Sequence, residues 1–187
     1  MSRTYSDIAA RVRVPMGFLM AALYMIFADP SLVTLLWGAI VAFAGLLLRL
    51  WSAGHLQKNR QLATGGPYAY TRNPLYVGSA LAGIGFCIAA GQWWLYLLFV
   101  IFLSAVYWPV IRKEEAYLRQ IFPVDFPRYA KSVPALFPGL SRPADFPCPP
   151  SRFYWQQYLA NREYRAFIGY LVILCFLFVK MSVINEY

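Results

Sequence analysis

Between residues 66 and 78 the chain reads Gly66-Pro67-Tyr68-Ala69-Tyr70-Thr71-Arg72-Asn73-Pro74-Leu75-Tyr76-Val77-Gly78, a polar loop turning back into an apolar run. The next polar stretch opens on Arg112-Lys113-Glu114-Glu115. Pro67 and Pro74 disfavour helix at the residues before them, so the segment enters the apolar run as a turn, and Asn73-Pro74 reads as an N-cap followed by proline at the first helical position. The open N–H groups of that helix start, with Arg72 beside them, favour an anion such as a carboxylate or phosphate. Tyr68, Tyr70 and Tyr76 offer flat, half-polar faces to a purine or a sulfonium cation. Glu114 and Glu115 can accept hydrogen bonds from an ammonium or a ribose hydroxyl. An adenosyl, amino-acid-bearing sulfonium acting on a lipophilic partner would use all of these groups. Taken singly, the tyrosines suit interfacial anchoring and the glutamates a solvated helix end; the combination carries the functional reading.

The elements that must position these residues lie in a bilayer. The chain is 60% hydrophobic and 13% charged with mean hydropathy +0.49, too apolar for a water-soluble domain of 187 residues. Val14 to Leu48 contains only Asp29 as a charge, and Asn73 to Ile111 contains none. Each run is about twice the ~20 residues of one helical crossing, so each reads as a helical hairpin. Asp29-Pro30 breaks the first and Gly91-Gln92 the second. The expected spans are Val14 to Ala28, Leu32 to Leu50, Leu75 to Ala90, Trp93 to Ile111 and Ala166 to Ile184, the last interrupted only by Lys180, whose stem can snorkel. The fold class is therefore an all-α integral membrane protein of about five transmembrane helices, with a cytosolic helical extension over Arg112 to Ile121.

With the N-terminus cytosolic, all of the 17 basic residues except Lys180 fall inside. That asymmetry accounts for the net charge of +9 without nucleic acid, and the basic face attracts anionic headgroups. The site is expected on the cytosolic side. No cleavable signal peptide is expected, because the first apolar run starts late and lacks a cleavage pattern. Cys87, Cys148 and Cys175 show neither pairing nor metal-ligand spacing and read as free thiols, so no metal site is expected.

Residues 1–138 read as a membrane core of four spans with a cap, 139–150 as a Pro-rich linker, and 151–187 as an interfacial helix plus a fifth span. Phe126, Tyr129, Val133, Leu136 and Phe137 supply the apolar bulk of the segment that folds back over the site. Gly78, Ala82 and the Ser79/Gly83 pair form small-xxx-small faces for close helix packing. Gly83-Ile84-Gly85 lies inside a span with no preceding strand, which argues against a soluble dinucleotide fold.

From about Arg49 to Pro138 the chain resembles the isoprenylcysteine carboxyl methyltransferases and related membrane phospholipid methyltransferases. The resemblance rests on Ala53-Gly54-His55, the Gly-Pro-Tyr loop, Arg72-Asn73-Pro74-Leu75-Tyr76-Val77-Gly78, Glu114-Glu115, Phe126, Tyr129 and Val133-Pro134. It implies a helical membrane enzyme that binds S-adenosyl-L-methionine (SAM), with a membrane lipid or lipidated substrate entering sideways. It also implies Tyr68, Asn73, Pro74, Leu75, Tyr76 and Glu114 as cofactor contacts, with Arg72 beside them. Leu62 and Ala63 match a segment that lines the family's cofactor pocket, and Lys58 joins them when the alignment is gapped. Two departures stand out. The family's Arg-His-Pro reads Arg72-Asn73-Pro74, and asparagine carries neither proton nor charge. The arginine thought to hold the substrate carboxylate corresponds to Val110; Arg112, the nearest replacement, is about 200° away around the helix.

The expected chemistry is in-line methyl transfer to a prenylcysteine-like carboxylate or a lipid headgroup. Arg112 would orient a carboxylate, whereas an amine would need Glu115 or His55 to take its proton. Two other classes stay open. A membrane sterol- or enone-type reductase using NADPH would carry a similar Arg-His-Pro-x-Tyr segment but need more cations for the 2′-phosphate. The other is a non-enzymatic scaffold.

Overall fold

The computed structural model describes residues 5–57, 61–143, 145–146, 148 and 151–184. Its helices are α1 (Tyr5–Phe27), α2 (Leu32–His55), α3 (Pro74–Ala90), α4 (Trp93–Phe102), α5 (Trp108–Ile121), α6 (Asp125–Ser132), α7 (Trp155–Ala160) and α8 (Tyr164–Ile184). A 3-10 turn, Gly66–Ala69, precedes α3, and a π turn, Leu103–Tyr107, joins α4 to α5. The protein is an all-α membrane protein. Among the described residues four helices are long and apolar enough to cross a membrane: α1, α2, the continuous Trp93–Ile121 rod and α8. The expected third span, α3, has 17 residues, or about 26 Å of rise against ~30 Å of hydrocarbon. The rod has 29 residues, about 43 Å by the same rise, so its polar end stands clear of the apolar layer.

The hairpin breaks have local causes. Ser31 caps α2 by accepting from the Thr34 N–H at 3.2 Å, while Thr34 Oγ1 accepts from the Ser31 N–H at 2.9 Å. Gly91 ends α3 with φ 70°, a left-handed conformation that glycine adopts without steric cost. The two turns are tied together by the Asp29 N–H, which donates to the Ala90 carbonyl at 2.8 Å.

α2 and α3 interlock through small residues. A Cβ on Gly38 would strike the Ala89 backbone, one on Gly45 the Ala82 backbone, and one on Gly85 the Ala42 backbone. Gly78 closes the seam, a Cβ there falling 2.7 Å from the Gly45 carbonyl. Gly83 points elsewhere, toward the Phe99 ring of α4. Around this pair a buried cluster gathers Tyr24 of α1, Cys87 of α3, Leu95, Phe99 and Phe102 of α4, and Leu177 and Met181 of α8.

The π turn follows from Pro109. Proline has no N–H to give to the carbonyl four residues back and its ring crowds that carbonyl, so the helix widens there. The freed Ala105 carbonyl instead accepts from the Tyr5 hydroxyl of α1 at 2.7 Å. Lys180 is held at the carboxyl end of α1. Its Nζ donates to the Met25 and Ile26 carbonyls at 3.0 and 2.7 Å, where the unpaired carbonyls and dipole of the α1 carboxyl end draw a cation.

The segment after α5 folds back, but Phe137, expected among the apolar bulk over the site, points away and is 89% exposed. Phe126, Tyr129 and Val133 are buried against Leu62, Leu118 and Phe122. The Arg72 N–H donates to the Pro134 carbonyl at 2.9 Å, the Gly139 N–H to Tyr70 at 2.8 Å, and Thr71 Oγ1 to Ala135 at 3.1 Å. In the Pro-rich stretch, Phe146 packs on the Tyr129 ring at 5.5 Å. The segment read as one interfacial helix forms only the six-residue α7, because its flanks cap α2. The Tyr154 N–H donates to the Gly54 carbonyl at 3.0 Å, and Asn161 Nδ2 to Ala53 and Leu56 at 3.0 and 3.2 Å.

Gly85→Val forces a branched side chain into the α2 backbone and is expected to cost several kcal/mol, beyond the ~1–3 kcal/mol of ordinary overpacking. Gly169→Ala on α8 has nothing within 4 Å of the added methyl and should leave stability equal or slightly raised. Thermal unfolding of the purified variants in detergent checks both; a Gly85→Val midpoint equal to wild type contradicts the seam.

Candidate functional site

One cavity of about 540 Å³ opens among α1, α2, α3, α5, α6 and the α7–α8 turn. Of the residues expected at a site, Leu62, Ala63, Tyr68, Arg72, Asn73, Leu75, Tyr76, Glu114 and Glu115 line it. The amino end of α3 and the acidic start of the α5 extension thus face one space.

α5 carries Glu114 and Glu115 toward two different partners. The Tyr76 hydroxyl donates to Glu114 Oε1 at 2.8 Å and accepts from Arg13 Nη1 at 3.0 Å, and the Arg13 guanidinium stands 3.9 Å from the same carboxylate. Glu114 keeps half its side chain exposed, at 51%. The Tyr76 ring is held edge-on by Tyr107 at 5.5 Å, and Tyr107 reaches it from the π turn. Glu115 is committed otherwise. Arg72 Nε donates to Glu115 Oε1 at 2.9 Å, with the two side chains 14% and 12% exposed. The other arm of Arg72 donates to the Ala130 and Val133 carbonyls, both at 2.7 Å. Asn73 Nδ2 adds bonds to Glu115 at 3.3 Å and the Ala135 carbonyl at 3.0 Å.

These contacts revise two expectations. Arg72 does not present a free guanidinium to an anion, since its Nε and Nη1 pin the loop to α5 and α6. Asn73 sits at the N-cap position of α3 but makes no side-chain cap, because its amide is drawn toward Glu115 and the Ala135 carbonyl of the folded-back segment.

Four further expected residues sit off the cavity wall. Arg112 lies with its guanidinium 6.0 Å from the Trp108 ring centroid; two residues along a helix from Glu114 place it about 160° away, on the opposite side of α5. His55 faces the Trp51 carbonyl with Nδ1 at 2.8 Å and the Ser151 carbonyl with Nε2 at 3.3 Å. Its ring stands where a Cβ on Gly66 would be, and Gly66 has φ 59°, so His55 buttresses the loop from behind. Pro74 is buried and sets the first turn of α3. Tyr70 also misses the wall, its carbonyl accepting from Gly139. Lys58 lies outside the described residues.

The cavity also has walls the sequence reading missed. Arg49, at the end of the α2 seam, sends Nη1 to Ser79 Oγ and to the Leu75 carbonyl at 3.3 Å. Its Nε and Nη2 both donate to Glu163 Oε2, at 2.9 and 2.6 Å. The signal for Arg49 was its register: it follows Gly45 by four and so shares the face packed on α3. Glu163 offered no such signal, being 114 residues from its partner. Arg13, Gln57, Gln61, Tyr107, Tyr117 and Leu118 complete the unforeseen lining.

Among the described lining residues three arginines, Arg13, Arg49 and Arg72, meet three glutamates, Glu114, Glu115 and Glu163. Burial pushes the Tyr68 phenol well above its ordinary pKa, helped by the nearby Glu163 and Glu114 carboxylates. Tyr129, likewise raised by burial, donates to the Tyr68 carbonyl at 2.7 Å. Both phenols therefore stay neutral. The apolar part of the wall is Leu62, Ala63, Leu118, Phe122 and Phe126.

A cavity of this size suits a cofactor-sized small molecule, for which ~300–1,000 Å³ is usual. Its donor set also fits the cofactor that the resemblance implies: a half-exposed carboxylate for an ammonium, tyrosine faces for a sulfonium, and an apolar slot for a purine.

The family model described as phospholipid methyltransferase matches residues 23–125, which covers α2 to α5 and the loop between α2 and α3. The chain is 36% identical over 118 residues to the cobalt-zinc-cadmium resistance protein CzcN of Cupriavidus metallidurans, covering 62% of this chain and 53% of that protein. It is 36% identical over 95 residues to the nickel-cobalt-cadmium resistance protein NccN of Alcaligenes xylosoxydans xylosoxydans, covering 50% and 44%. It is 28% identical over 141 residues to the protein-S-isoprenylcysteine O-methyltransferase of Schizosaccharomyces pombe, covering 73% and 59%. The chain thus spans about half the length of these relatives, 44% to 59%. No solved structure matches it. With more than half of its residues inside the matched region, the chain belongs to the phospholipid methyltransferase family.

Proposed function

We propose that the protein is a membrane methyltransferase that takes its methyl group from SAM and gives it to a lipophilic acceptor at the cytosolic face. The observation that carries this reading is the cavity that has Tyr76 and Glu114 on one wall and Leu62, Ala63 and Phe126 on another. Each arginine among the described lining residues faces a carboxylate, and the match of residues 23–125 to the phospholipid methyltransferase family supports methyl transfer over the reductase reading. The cytosolic assignment is supported by the basic residues: Arg13, Arg49, Arg72 and Lys113 all gather at the site end of the bundle, the end that the positive-inside rule assigns to the cytosol.

When bound, SAM supplies a methyl carried on a sulfonium, an electrophile needing no metal or redox partner. The residues that would hold it are Tyr68, Asn73, Leu75, Tyr76 and Glu114, with Leu62 and Ala63 along the apolar side. Glu114, kept in place by Tyr76 and Arg13, accepts from an ammonium. The tyrosine faces attract the sulfonium charge without competing as nucleophiles, because the neutral phenols are poor ones. Arg72, Asn73 and Glu115 hold the loop on α5 and α6, and His55 holds it from behind; these are positioning residues. α6, lying over the cavity, keeps out water that would otherwise solvate the acceptor. Glu115 Oε1 accepts from both Arg72 and Asn73, which commits this carboxylate to holding the loop.

Calorimetric titration of the purified protein with S-adenosylhomocysteine and with NADPH tests the reading. Saturable binding of the first alone is expected; binding of NADPH alone restores the reductase, and binding of neither leaves a scaffold. Glu114→Gln and Tyr76→Ala should each weaken S-adenosylhomocysteine binding by about tenfold, roughly the 1.4 kcal/mol of one hydrogen bond to a charged group. Both should leave the helical circular dichroism spectrum intact. Wild-type affinity in both variants would move the cofactor elsewhere.

A further inference from the structure

The Arg49–Glu163 pair divides two cavities. On one side is the polar cavity of about 540 Å³; on the other is an apolar groove of about 180 Å³ between α2 and α8, and both residues belong to the walls of both. The groove is formed by Phe43, Leu46, Leu47 and Leu50 of α2 against Ala166 and Phe167 of α8. It runs along helices that cross the apolar layer, so it is open to the chain of an amphiphile whose head reaches Arg49.

The pairing itself is incomplete. Arg49 Nε and Nη2 form the guanidinium edge that receives two oxygens of a carboxylate or phosphate. Here both donate to the single Glu163 Oε2. Arg49 does not depend on Glu163 to stay in place, because its Nη1 is anchored on Ser79 Oγ and the Leu75 carbonyl of α3. Glu163, by contrast, sits on a turn where Arg162 has φ 56°, a left-handed conformation that is rare for a long side chain. It immediately precedes α8, whose open amino-terminal N–H groups would receive a displaced carboxylate. Glu163 also lies beyond residues 23–125 matched by the family model, so this closure is built from the chain's own C-terminal segment.

We infer that Arg49 and the α2–α8 groove form the binding site for an anionic amphiphile, a carboxylate or phosphate head on a single apolar chain, and that Glu163 occupies Arg49 until such a head displaces it. The inference rests on the methyltransferase reading only in naming that amphiphile the acceptor. The head enters the polar cavity on the side of Ser79 and Leu75, and the near part of the chain fills the groove while the remainder lies in lipid.

Equilibrium binding of tritiated dodecanoate, dodecyl phosphate and dodecanol to the protein in neutral-detergent micelles tests it. Glu163→Gln removes the internal competitor and is expected to tighten binding of an anionic probe about tenfold, as when an occluded state is abolished, with dodecanol unchanged. A gain for dodecanoate alone assigns a carboxylate head, and a gain for dodecyl phosphate a phosphate headgroup. Equal affinities of wild type and Glu163→Gln for both anions, or an equal gain for dodecanol, overturns the inference. Ala166→Leu gives a check that leaves the ion pair alone: it fills the groove and should weaken the anionic probe at least tenfold, and unchanged binding again overturns it. Titration of the wild type with S-adenosylhomocysteine separates the two levels. If that ligand fails to bind while Glu163→Gln still tightens dodecanoate, the methyltransferase reading falls and the amphiphile site stands.

Discussion

The architecture depends on the contact between α2 and α3. In a bilayer the lipid is as apolar as leucine, so two helices gain little by hiding apolar surface from each other; close backbone approach supplies the attraction instead. Gly38, Ala42 and Gly45 on one helix and Gly78, Ala82, Gly85 and Ala89 on the other leave room for no larger side chain. The consequence for the site is one of register. With Gly45 seated on Ala82 and Gly78, the next residue of that face, Arg49, arrives over the first turn of α3 and bonds Ser79 and Leu75. The polar end of the bundle is therefore located by packing inside it.

Three ion pairs then draw separate elements around the cavity. Arg13 joins α1 to Glu114 of α5, Arg72 joins the loop to Glu115 of α5, and Arg49 joins α2 to Glu163 before α8. Their burial differs and so does their role. The Arg72–Glu115 pair has side chains at 14% and 12% exposure with carbonyls completing the arginine's bonds, and loss of either partner would leave a charge uncompensated at a cost of about 3–5 kcal/mol. The Arg13–Glu114 pair is 38% and 51% exposed at 3.9 Å, an arrangement worth little to stability and free to open to a ligand. The rigid pair and the open one sit on adjacent residues of α5, so one glutamate fixes the loop while its neighbour remains available.

Much of this was legible in the sequence because local rules set it. Charge-free runs of double length gave the hairpins, Asp29-Pro30 and Gly91-Gln92 their turns, and Pro74 the start of α3. The resemblance around Tyr68, Asn73, Tyr76 and Glu114 named residues that the structure brings to one cavity. What escaped was set by helix phase and by long-range pairing. Arg112 follows Trp108 by one turn and shares its outer side, so its chemistry as an arginine said nothing of its direction. Lys180 found the carbonyls at the end of α1, and Glu163, inside a stretch that reads as aromatic and basic, found Arg49 from the far end of the chain. The π turn at Leu103–Tyr107 was implicit in Pro109, whose missing N–H predicts a helix defect, though not that the defect would turn Tyr107 onto Tyr76.

The central claim is that the amino end of α3 and the start of α5 hold one adenosyl sulfonium between them. Ultraviolet cross-linking of radiolabelled SAM to the purified protein, followed by peptide mapping, tests it most directly. The account predicts label on the peptides carrying Tyr68 and Tyr76 and its loss in the presence of excess S-adenosylhomocysteine. Competable label confined to α8 or to the Asp29–Gly91 end of the bundle would contradict it.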